Sequence, residues 1–94
     1  MGLEFEWDAN KARLNRLKHR VPFEEASSVF ADPLSLTVDD PMHSTGKEER
    51  CVTLGRSTLG RLLVVVHCDR GDRIRIISAR KATPRERGTY EERD

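Results

Sequence analysis

The run Arg61-Leu62-Leu63-Val64-Val65-Val66-His67-Cys68 limits the folds open to this chain more than any other segment. A stretch that is apolar on both faces needs cover above and below, which places it centrally in a sheet. Asp69 to Asp72 contains Arg70-Gly71 and has the length of a hairpin loop, so Arg73 to Arg80 is expected to return antiparallel beside it. There Ile74, Ile76 and Ser78 alternate with Arg75, Ile77 and Ala79, so one face can pack on a core while Arg75 points away. By the same alternation Arg75 and Arg80 belong on opposite faces unless a bulge intervenes. Thr83-Pro84-Arg85-Glu86 then supplies an N-cap, a proline at the first helical position and a capping-box glutamate, and so opens a helix.

The front half reads less sharply. Leu3, Phe5 and Trp7 alternate with Glu4 and Glu6 as a short half-exposed strand ending at Asp8. Asp8 can cap a basic helix whose apolar stripe, Ala9, Ala12 and Leu17, is thin. Pro22 opens a second helix with Phe23, Ala26, Val29 and Phe30 at helical spacing, and Asp32-Pro33 stops it. Leu34 to Val38 and Cys51 to Leu54 read as strands, the polar segment Asp39 to Arg50 as a mobile loop, and Ser57 to Gly60 as a turn. The order is strand, two helices, three or four antiparallel strands and a terminal helix. This is an α+β fold, with a small antiparallel sheet and its helices gathered on one side, in a single domain over residues 1–94.

Ninety-four residues bury only about 60–65% of the surface that the unfolded chain exposes, so the core is modest. No apolar run approaches the roughly 20 residues that span a bilayer, and a cytoplasmic location is expected. Cys51 and Cys68 lack CxxC spacing and a ligand cluster, so they are read as buried free thiols and no metal or cofactor is expected. The net charge is only +1, but it is unevenly spread. From Arg61 to Arg87 eight Lys/Arg face three Asp/Glu, a balance of +5, while the remainder sums to −4. The back half is the half suited to a polyanion.

Four separated blocks carry a family resemblance: FEWDANKARLNRLKH, VPFEEASSVFADP, GRLLVVVH and RIRIISARKATPRERGTYEE. In this order, over nearly the whole chain, the sequence resembles the BrnT-type toxins of bacterial type II toxin–antitoxin systems. The resemblance implies a RelE-like ribonuclease fold and a metal-independent endoribonuclease that arrests growth by cutting RNA. It also implies a BrnA-type antitoxin as partner, in a 2:2 heterotetramer that binds promoter DNA through the antitoxin. Where that family usually reads Lys-His-Gly after the first helix, this chain has Lys18-His19-Arg20. Arg20 is therefore expected to accept strain of about 1 kcal/mol in a left-handed position, or to end the helix differently.

Cutting RNA without a metal uses the 2′-hydroxyl as nucleophile, and needs a base, an acid and stabilisation of a crowded, anionic phosphorus centre. Arg80, at a strand end before the last helix, is the first choice for clamping phosphate, since guanidinium offers paired donors and keeps its charge; the alternative is a structural salt bridge. His67, closing the VVVH strand, is an acid or base, or else a satisfied core imidazole. Lys18 and His19 are catalytic candidates or simply cations suited to a helix C-terminus, with Asn15 one turn earlier able to orient His19. Tyr90 can stack on a base or donate to phosphate, or plug the helix against the sheet. Arg61, Arg73, Arg75, Lys81 and Arg87 are candidate RNA contacts, while the capping box already accounts for Glu86. A non-catalytic nucleic-acid-binding or regulatory module is the alternative function, because phosphate affinity alone says nothing about turnover.

Overall fold

The computed structural model describes residues 3–40 and 49–92, so most of the expected loop, residues 41–48, lies outside the described residues. The elements in order are β1 (Glu4–Glu6), α1 (Ala9–His19), α2 (Phe23–Ser27), a 3-10 turn (Ser28–Ala31), β2 (Leu36–Asp39), β3 (Arg50–Arg56), β4 (Leu62–Arg70), β5 (Arg73–Lys81) and α3 (Pro84–Glu91). One sheet runs β1-β5-β4-β3-β2, antiparallel except for β1, which lies parallel to β5. The doubly apolar run is indeed third of five strands. The α+β class holds, but the helices do not gather on one side. Leu63 and Val65 face Val21, Phe23, Ala26 and Val29, whereas Leu62 and Val64 face Leu54 and Tyr90 of α3. A strand apolar on both faces needs a cover on each, and α3 supplies the second.

The β4–β5 connection is shorter than the sequence reading had it. Both strands continue to Arg70↔Arg73, leaving only Gly71-Asp72 in the turn, with Gly71 at φ +69°. Glycine at the first central position lets such a two-residue turn match the twist of its strands. Further along, the pairing passes from Val66↔Ser78 to His67↔Ile76, so Ile77 is an extra residue and forms a bulge. The bulge resets the alternation: Ile76 and Ala79, three apart, both enter the helix-side core. Arg75 pairs with Cys68 and Arg80 with Val64, which places both arginines on the α3 face of the sheet. Strict alternation had separated them.

Helix α1 buries almost no apolar surface and is held by a polar anchor. Asp8 caps it, accepting from the Asn10 amide at 3.3 Å. Strand β1 pairs only with Arg73 to Arg75, leaving the outer edge of β5 open beyond that point. Asn15 fills the gap: its Nδ2 donates to the carbonyls of Ala79 (2.9 Å) and Val21 (3.0 Å), and its Oδ1 accepts the Ala79 amide (3.1 Å). A side-chain amide thus continues the edge as a strand would, and satisfies backbone groups costly to bury unpaired. Asn15 does not orient His19, as its helical spacing had implied.

Candidate nucleic-acid cleft

The anchor at Asn15 brings the last turn of α1 against the far end of β5. There a shallow cleft of about 450 Å³ is lined by Lys18, His19, Arg20, Arg80, Lys81 and Thr83. Each side is fixed by its local sequence. Lys18 and His19 stand in the last turn of α1, where cations oppose the negative end of the helix dipole. Arg20 follows at φ 59°, ψ 34°, the left-handed position that glycine would fill, and its N–H caps the Arg16 carbonyl at 2.9 Å. Thr83 begins α3, its Oγ1 accepting the Glu86 amide at 3.2 Å while the Glu86 carboxylate accepts the Thr83 amide at 2.8 Å. The expected capping box is formed.

Arg80 is the hinge between strand end and helix start. Its Nη1 and Nη2 donate to Oε1 and Oε2 of Glu86, each at 2.8 Å, and Nη1 also reaches the Lys81 carbonyl at 3.3 Å. The end-on edge of the guanidinium is therefore filled, whereas on the side edge, formed by Nε–H and the second Nη2–H, no hydrogen bond to another described residue is made. That edge has the spacing to receive two phosphate oxygens. The Arg80 hydrogen bonds, with those of Thr83, lower Glu86 to a pKa of about 2. Glu86 is thus a fixed carboxylate at neutral pH and a poor proton acceptor, while Arg80 is held still more firmly charged. His19 is the one histidine lining the cleft. No ion pair engages Lys18, His19 or Lys81 among the described residues.

The other sequence-predicted residues lie elsewhere. His67 is 4% exposed, on the helix side of the sheet, with Nε2 2.8 Å from Thr53 Oγ1 and its ring edge-on to Phe30 at 4.8 Å. Burial pushes its pKa down, and Nδ1 has no polar partner there. Of the two readings of His67, the structure shows the core imidazole, hydrogen-bonded at one nitrogen only. Tyr90 is likewise the plug: its buried ring seals Leu54, Leu62 and Val64, and its hydroxyl donates to Asp32 Oδ2 at 2.6 Å. That bond, then burial, raises the Tyr90 pKa. Arg61 is bound by Glu25 through Nε at 2.8 Å and again through Nη2. Arg73 and Arg75 share Glu6, at 3.7 and 3.0 Å. Arg87 is exposed on α3 and does not line the cleft. Sequence reasoning missed Asp32, whose carboxylate also accepts the Arg56 and Leu34 amides, at 2.8 and 2.9 Å. Its position before Pro33 was read only as a helix stop.

Among the described residues no group of three or more His, Cys, Asp or Glu side chains is placed to hold a metal, and no helix is long and apolar enough to cross a membrane. No curated protein matches the chain at a significant level. Among solved structures, the fold is similar to that of the ribonuclease toxin BrnT of Brucella abortus, known at 1.1 Å resolution. The TM-score is 0.62 at 19% identity, over 87% of this chain and 99% of that one. The family described as ribonuclease toxin BrnT of type II toxin–antitoxin systems matches residues 7–86, a span that holds every residue lining the cleft and stops short of Arg87 and Tyr90. On that match the chain belongs to the BrnT family of ribonuclease toxins of type II toxin–antitoxin systems.

Proposed function

We propose that this protein is a metal-independent endoribonuclease acting in the cytoplasm, and that its chemistry takes place in the cleft between the end of α1 and the end of β5. The observation that carries the reading is the convergence there of Lys18, His19, Arg80 and Lys81, from opposite ends of the sequence, with no carboxylate among the described residues that line the cleft and Glu86 already committed to Arg80. The open edge of Arg80 grips the two non-bridging oxygens of the scissile phosphate. His19 exchanges the proton: the 2′-oxygen loses its hydrogen as it bonds to phosphorus, the bond from phosphorus to the 5′-oxygen breaks, and a proton reaches that leaving oxygen. The products are a 2′,3′-cyclic phosphate and a free 5′-hydroxyl. Lys18 and Lys81 stabilise the charge that accumulates on the phosphorane. Arg87 extends the positive surface along α3 for the RNA backbone, whereas Arg61, Arg73 and Arg75 are structural through their carboxylate partners. The family carries an antitoxin partner, which we take to be of BrnA type, in a 2:2 assembly that meets promoter DNA through the antitoxin.

The test is incubation of the purified toxin with RNA in EDTA, followed by analysis of fragment ends. Wild type is expected to yield 2′,3′-cyclic phosphate termini. His19→Ala is expected to cleave about 10²–10⁴-fold more slowly, with an unchanged melting temperature. Undiminished cleavage by a folded His19→Ala,Lys18→Ala double variant would remove the cleft from the reaction.

A further inference from the structure

A second concavity runs along the other side of α1. It encloses about 800 Å³ and is lined by Arg13, Arg16, Leu17, Arg20, Pro22, Glu25, Leu59 and Arg61. Two of its features have no part in the fold or in the proposed chemistry. Leu17 is 71% exposed and Leu59 73%, the two highest values among the exposed large apolar side chains of the described residues, and both line this one groove. Beside them stand the guanidinium groups of Arg13, Arg16 and Arg20, while the fourth, Arg61, is already matched by the one carboxylate of the lining, Glu25, which is 7% exposed and also accepts from Ser57 Oγ at 2.7 Å. The groove therefore sets two exposed leucines beside a stripe of positive charge that no carboxylate of the lining neutralises.

We propose that this groove docks an acidic amphipathic helix of the antitoxin, whose leucine-type side chains enter between Leu17 and Leu59 while its carboxylates meet Arg13, Arg16 and Arg20. The inference rests on reading the chain as an antitoxin-neutralised toxin. Arg13, Arg16 and Arg20 are spaced by three and four residues, so they form a stripe about 10 Å long. Carboxylates at the same spacing on a helix laid alongside would face them in register. RNA fits less well, because Leu17, Leu59 and Pro22 give phosphates no counter-charge and no aromatic surface on which a base could stack. Arg20 lines both this groove and the catalytic cleft. A helix seated in the groove thus reaches the wall it shares with the cleft, and docking there hinders access of RNA.

Purified toxin, its cognate antitoxin and an RNA substrate suffice for the test. Leu17→Glu,Leu59→Glu should bind antitoxin about 100-fold more weakly, and Arg13→Glu about tenfold, since residues at the centre of an interface carry most of its affinity. All three sites are exposed and outside the cleft, so RNA cleavage and melting temperature should match wild type. Val38→Glu, at a position on β2 that is 62% exposed and outside the groove, should change nothing. Unaltered antitoxin affinity of the double variant overturns the proposal. So does loss of RNA cleavage with antitoxin binding intact, which would make the groove an RNA track, or a change only in self-association, which would make it a contact between toxin copies. If wild type cuts no RNA but the double variant still loses the antitoxin, the ribonuclease reading falls and the docking site stands.

Discussion

Arg20 holds a left-handed backbone, φ 59°, that an L-residue with a β-carbon adopts at a cost of about 1–2 kcal/mol. It is the only non-glycine residue with positive φ among those described. Replacing it by glycine removes that cost but adds entropy to the unfolded chain, about 0.4–1 kcal/mol. Arg20→Gly should therefore stabilise the fold by about 0.5 kcal/mol, read as a higher urea midpoint with unchanged slope. The carbonyl of Arg20 accepts from Arg61 Nη2 at 3.1 Å, a bond glycine retains. The left-handed ending was one of two expected from the resemblance, in which Lys-His-Gly usually stands where this chain has Lys18-His19-Arg20. The Arg20 side chain stands on the wall shared by cleft and groove, which only the folded chain reveals.

Helix α3 shows how an element of eight residues is held when its own apolar content is slight. Its start is fixed by the capping box and by the Arg80–Glu86 pair, and its end by Tyr90 bonding to Asp32. Removing the Tyr90 hydroxyl leaves the ring seal intact and deletes one hydrogen bond to a charged acceptor. Tyr90→Phe should cost about 1.5 kcal/mol in denaturant unfolding and speed amide exchange within α3, while RNA cleavage persists. Cleavage lost in a stable Tyr90→Phe would return the hydroxyl to the chemistry. Thr83, Pro84 and Glu86 announced this helix without ambiguity, because capping is local and needs only neighbours in sequence. Asp32, 58 residues before Tyr90, carries no such signal.

For the molecule as a whole, the buried His67 couples stability to pH. Burial lowers its folded pKa below the ordinary value near 6.5, so between that lowered value and about 6.5 the unfolded chain binds a proton that the folded chain refuses. Stability then falls as the pH drops through this window, by at most about 1.4 kcal/mol per pH unit, and is insensitive to His67 above it. His67→Gln, which cannot be protonated, should flatten the pH dependence of the unfolding free energy just below about pH 6.5. An unchanged slope would assign the effect to other groups.

Strand and helix order, the central β4, the capped α3 and the basic back half follow from hydrophobic period, capping residues and charge, all of which act over a few neighbours. Contacts across the sheet are another matter. The bulge at Ile77 puts Arg75 on the Arg80 face, Tyr90 is claimed by Asp32, His67 is sealed against Phe30, and Lys18 and His19 meet Arg80 and Lys81. Each depends on pairing between residues far apart in the chain, where one extra residue in a strand changes which face a side chain takes. Sequence by itself determined which residues were chemically able to serve a phosphate. Tertiary packing alone decided which of them share a cleft, because proximity across 60 residues is set by register and not by composition.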